Sequence, residues 1–237
     1  MREIVGIKED YIAVIEKNGV TYGGNQGFFR ELDDRVSRKK EQNGCGMVAL
    51  CDIMRYLRYC RNSGMKLFPD RASYREYFDQ MCRETRWHPL NCGMSSLMLV
   101  WRFNHICKKQ GLRMHGKWGW NTAQIVNRTS KMLQMDIPVI LCIPMMILPW
   151  QKKHQMNLYQ YEKGRMYART ATQGHYVVIT GIVEENSEAY FRISSWGKMF
   201  YLPVREYLKF VKEHFLGNIL GNIMYLKIEN NPDENAT

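Results

Sequence analysis

Nowhere in the 237 residues does an apolar run approach the roughly 18 residues a membrane-spanning helix needs. The longest candidate, IPVILCIPMMILPW (137–150), is broken by three prolines and reads as a buried strand running into a loop. The amino terminus, MREIVGIKED, has neither an apolar signal core nor a small-residue cleavage site. No membrane association and a cytoplasmic location are therefore expected. A P-loop and a dinucleotide fingerprint are both missing, so no cofactor is expected either. The seven cysteines are odd in number and irregularly spaced, which argues for reduced thiols rather than a disulfide framework. Cys82, His88 and Cys92 form C-x5-H-x3-C, without the C-x2-C pair that structural zinc sites favour, and no metal is expected. There is no internal repeat beyond a local echo, NGCGM (43–47) against LNCGM (90–94).

What is present is a globular composition, 45% hydrophobic and 12% aromatic, enough for one large domain or two lobes sharing an interface. Net charge is +11, with basic residues gathered at 35–40, 102–117 and 152–169. Such patches suit acidic ligands or nucleic acid, or are simply solvated faces. No aromatic-basic recognition module accompanies them, so nucleic acid is the least favoured partner.

Periodicity divides the chain. YIAVIEKNGVTY (11–22) alternates around Asn18-Gly19 and predicts a β-hairpin. Residues 28–43 are charged and lack period, as a surface loop with at most a helical turn would. Met47, Leu50, Cys51, Met54 and Leu57 then recur at helical spacing until RNSG (61–64). Asp70 or Ser73 caps a second helix with an inward stripe of Tyr74, Tyr77, Phe78 and Met81. A third is predicted from Ser95 to Gln110, closed by Gly111, and a fourth from Asn121 to Gln134. Beyond these, IPVILCI (137–143), HYVVITGIV (175–183), AYFRIS (189–194), KMFYL (198–202) and NIMYLKI (222–228) read as strands. Pro203 opens a helix carrying Val204, Tyr207, Leu208 and Val211, and NPDENAT is a frayed tail. Helices followed by strands predict an α+β fold: a hairpin over 1–27, then one domain over 28–237, with a helical lobe at 44–135 and a β lobe at 136–230.

Cys45 falls at the first turn of the first helix, where unpaired backbone N–H groups and the helix dipole favour a thiolate. Gly44 and Gly46 leave room for a substrate backbone beside the sulfur. A nucleophilic thiol also needs a base held by a third polar group. Of six histidines, His175 alone opens a buried-type strand, after Gly174 and facing a partner strand that ends Ser194-Ser195-Trp196-Gly197. Cys92 is the rival nucleophile, with no histidine block placed for it.

GCGMVAL, GHYVVITG and ISSWGK together resemble the signature blocks of papain-like cysteine peptidases. The similarity is greatest to the bacterial branch of bacteriocin-processing, double-glycine leader peptidases, and it covers about 40 to 215. In papain-like enzymes the base and its orienting residue follow the cysteine by roughly 130–150 residues; here His175 follows Cys45 by 130 and Ser194 by 149. The resemblance implies a papain-like fold and a thioester mechanism, with Cys45 as nucleophile and His175 as base. Ser194 stands where the family has Asn or Asp, and Trp196 shields the bond between them. The family's oxyanion glutamine lies about six positions before the cysteine, where this chain has Lys39, so Gln42 is the expected substitute. The implied activity is hydrolysis of a peptide or isopeptide bond in a peptide or protein substrate, with the basic loop 151–169 favouring acidic ones. Acyl or amide transfer through the same thioester, or a catalytically silent binding module, remain the alternatives.

Overall fold

The computed structural model describes residues 1–59, 66–88, 93–145, 155–214 and 216–228. In chain order the strands and helices are β1 (Arg2–Gly6), β2 (Ala13–Glu16), β3 (Gly19–Val20), α1 (Arg35–Asn43), α2 (Cys45–Tyr59), β4 (Leu67–Phe68), α3 (Arg71–Thr85) and α4 (Ser96–Lys109). There follow β5 (Met114–Trp118), α5 (Ile125–Gln134), β6 (Val139–Ile143), β7 (Met156–Glu162), β8 (Arg165–Thr172), β9 (His175–Glu185) and β10 (Glu188–Ser195). The last are β11 (Lys198–Pro203), α6 (Val204–Glu213), α7 (Gly217–Leu220) and β12 (Ile223–Ile228). The fold is α+β. Its large antiparallel sheet has the order β5-β12-β6-β9-β10-β11-β7-β8, with β1 pairing β9 beside that path.

Side chains alternate across this sheet and so feed two cores. Ile140, Tyr176, Val178 and Met224 face the helical block, where they pack with Met47 and Leu50 of α2, Phe78 of α3 and Phe103 of α4. Leu141, Val177, Ile179 and Ile193 face the other way, under Leu133 of α5 and Tyr207 and Val211 of α6. α2 is buried along most of its length, as an interior helix apolar nearly all round must be. Its Cys45 end abuts the start of β9.

The capping signals hold in detail. Asp70 caps α3 by accepting from the Ser73 N–H at 2.7 Å, Ser95 caps α4, and Gly111 adopts φ +65 just past its end. Other expectations need correction. Residues 28–43 contain the end of a short 3-10 turn, Gln26–Phe29, and all of α1; Phe28 and Phe29 are buried rather than surface loop. The first hairpin turns at Lys17-Asn18, one residue earlier than the Asn-Gly signal suggests, with Ile15 opposite Val20. The described part of the basic loop 151–169 is the hairpin β7–β8. Residues 1–27 are woven into the fold, because β1 extends along β9. RNSG (61–64), Cys92, residues 146–154 and the NPDENAT tail lie outside the described residues.

Candidate active site

α1 ends at Gly44 and α2 begins at once with Cys45. The two glycines flanking the cysteine admit the protein itself, not a substrate. A Cβ at Gly44 would fall on the Lys40 carbonyl, and one at Gly46 would press within 3.1 Å of the Tyr176 ring and 3.2 Å of Met94. Cys45 is only 8% exposed. Burial pushes its thiol up, while the backbone N–H groups of Tyr176, Gly46 and Cys45 pull it back. The helix-tip argument thus names the right groups but not the net sign. Removing the charged sulfur from water costs more than three N–H dipoles return.

The Tyr176 N–H contact sets the sulfur against the peptide that joins His175 to Tyr176. His175 is buried, and burial alone lowers its imidazole to about 4. Its Nε2 lies 2.8 Å from the Ser195 hydroxyl, which fixes the orientation of the ring. Burial thus shifts both groups toward their neutral forms.

Ser194, the expected partner of His175, points elsewhere: its hydroxyl donates to the Tyr22 carbonyl at 2.7 Å. The reason is the pleat. Ser194 pairs with Val178 and shares that residue's face, whereas Ser195 continues the face of Ile193 and Ile179, to which His175 also belongs. A one-residue difference in a strand moves a hydroxyl to the opposite side. Trp196 stacks on His175 with ring centroids 4.4 Å apart and planes within 15°. It does so from φ +49, with Gly197 at φ +71, in a two-residue turn that suits Asn-Gly far better than Trp-Gly. A bulky residue held in that region costs on the order of 1–2 kcal/mol, and here the strain aims the indole at the imidazole. Gly174, at φ +61, sets the entry to β9.

Gln42, expected to complete the oxyanion hole, is exposed on the last turn of α1 and does not line the cavity around the sulfur. Gln26 does. Its Nε2 donates to the Glu41 carbonyl at 2.7 Å, which orients the amide and leaves a second N–H. The segment carrying Gln26 is sewn down on both sides. Tyr22 N–H bonds the Gly197 carbonyl at 2.8 Å and Gly197 N–H bonds the Gly24 carbonyl at 3.0 Å. From below, Asp52 of α2 accepts from Gly24 N–H at 2.8 Å, Tyr74 OH at 2.8 Å and Tyr11 OH at 3.4 Å. Burial raises that carboxyl to about 7. Only glycine fits the strap, since a Cβ on Gly23 would meet the Ser194 hydroxyl and one on Gly24 the Tyr74 hydroxyl. The sequence signal for Gln26 was the Gly-Gly-Asn-Gln run itself.

Gln26, Cys45, Asp52, His175, Trp196 and both serines, Ser194 and Ser195, line one cavity of about 20 Å³, room for roughly a single water. Among the described residues no cluster of His, Cys, Asp and Glu could hold a metal ion, and no helix is long and apolar enough to cross a membrane. No protein-family model, curated protein or solved structure matches the chain.

Proposed function

We propose that the protein is a papain-like cysteine hydrolase that cleaves a peptide or isopeptide bond. One observation carries this reading. A helix-tip sulfur and a strand-start imidazole from residues 130 apart line one cavity, with the ring oriented by Ser195 and covered by Trp196. The geometry favours a neutral-pair mechanism. As the Cys45 sulfur attacks the carbonyl carbon, the His175 imidazole takes the thiol proton. The oxyanion is held by the Cys45 backbone N–H and the free N–H of Gln26. Collapse of the tetrahedral intermediate breaks the C–N bond, and the imidazolium gives its proton to the departing amine. Water, deprotonated by the same ring, then attacks the thioester, releasing the acid and restoring the thiol.

The hydrogen bond from the imidazole to a serine hydroxyl, where a carboxylate would stabilise an imidazolium, favours a second reading, a papain-like fold that binds without cutting. Incubating the protein with a mixed synthetic peptide library, read by mass spectrometry, separates them. Wild type should cleave and Cys45→Ala should not; cleavage unchanged in that variant sinks the thioester mechanism. Capture of added amines by the acyl group would mark a transferase.

A further inference from the structure

Beside this cavity lies a groove of about 910 Å³ that shares two of its residues, Gln26 and Trp196. One wall is the 3-10 turn with Arg30 and the start of α3 with Arg71; the other is β8 with Arg169 and the β10–β11 turn with Lys198. Phe200, in edge contact with Trp196 at 6.2 Å, belongs to the same surface.

Its charges do not cancel. The two acids in the groove, Glu41 and Glu31, are already engaged by Arg30 at 2.6 Å and by Arg71 and Arg75. Arg169 pairs with Glu162, which lies outside the groove lining, and Lys198 has no ion pair among the described residues. With Glu16 on Arg71 and Glu162 on Arg169 counted, five cations (Arg30, Arg71, Arg75, Arg169 and Lys198) meet four acids, and Lys198 carries the remaining positive charge. Its position relative to the chemistry follows from proton transfer. The leaving amine must take its proton from His175, so it departs past that ring, and Trp196, stacked on the ring, is where the groove begins.

We propose that this groove receives the leaving side of an extended acidic peptide, its carboxylates facing Lys198 and Arg169. This rests on the hydrolase reading above and adds to it a substrate class and a direction. Apolar atoms of Trp196 and Phe200 supply contact along the chain, while the cations select charge.

The test has a binding arm and a cutting arm. Fluorescein-labelled decapeptides differing only in Glu, Gln or Lys at four positions are titrated into the Cys45→Ala protein and read by anisotropy. The Glu peptide should bind about 10-fold tighter than the Gln peptide at low salt, with the gap closing as salt rises. Lys198→Glu with Arg169→Glu, both exposed positions, should abolish the preference. In the cutting arm, wild type is given internally quenched peptides with acids on one side of the scissile bond or the other. Cuts should favour acids on the leaving side, while a small aminocoumarin amide, too short to reach the groove, is cut equally by wild type and the double variant. Equal binding of the three peptides, a preference that survives the double variant, or acids favoured on the acyl side would each overturn the proposal. Tight charge-selective binding with no cleavage of any substrate would sink the hydrolase reading and the leaving-side assignment, and leave acidic recognition standing.

Discussion

The two walls that meet at Cys45 are made differently. On the sheet side, His175, Ser195 and Trp196 sit within 22 residues, on two neighbouring strands and the turn that ends one of them. Pleat and register alone bring them together. On the strap side, Gln26 comes from the amino-terminal segment and Asp52 from the second turn of α2 beyond the cysteine, and they are joined by single hydrogen bonds through Gly24. A sheet wall is held by the continuous ladder of its strands, whereas the strap depends on a few bonds that a point substitution can remove. Damage on the sheet side should therefore hit proton transfer, and damage on the strap side should hit oxyanion binding.

The largest difference should come from the two principal groups. His175→Ala should lower kcat/KM by about 10²–10⁴-fold, and Gln26→Ala by about 10²–10³-fold, mostly in kcat. Gln42→Ala, exposed and outside the cavity, should change neither, and a large loss there would undo the assignment of the strap. Next comes the pH profile. Because burial holds the His175 imidazole at about 4, below its usual 6.5, the basic form persists in acid and the acidic limb of kcat/KM should fall near pH 4. The raised Cys45 thiol predicts slow iodoacetamide labelling at neutral pH, rising above the ordinary thiol range. Rapid labelling near pH 6 would instead reveal an ion pair.

Smaller effects separate the neighbouring serines. Ser195→Ala should cost about 3–10-fold in kcat through the lost bond to the ring. Ser194→Ala should act chiefly on stability, by about 1 kcal/mol, because its hydroxyl ties the strap at Tyr22. Asp52→Asn should be subtler still. The folded carboxyl keeps its proton up to about pH 7 where the unfolded one gives it up near 4. Wild type accordingly loses stability as pH rises through that window, and thermal melts of the asparagine variant should lack this slope.

The same asymmetry explains what could be read from the chain. GHYVVITG and SSWG are contiguous blocks, so the sheet wall was legible as residues of the right type in the right order. Which serine faces the ring was not, because letter-by-letter matching ignores the pleat. The strap was illegible for a different reason: Gln26 lies 19 residues before Cys45, and α1 fills the interval. α1 itself buries only Ser37 and shows no apolar stripe. Its readable sign was Asp34, which accepts from Val36 N–H at 2.8 Å and Ser37 N–H at 3.0 Å. The β7–β8 hairpin hid behind its charges, although Lys163-Gly164, with φ of +49 and +78, is a two-residue turn signal. Helix α2 was plain from its apolar stripe, and α3 and α4 because cap and stripe agree.

Looping α1 out between Gln26 and Cys45 decides where the chain can tolerate a change of length. Glu41, in the last turn of that helix, holds Gln26 through its carbonyl, so residues gained or lost are borne ahead of that turn and not within it.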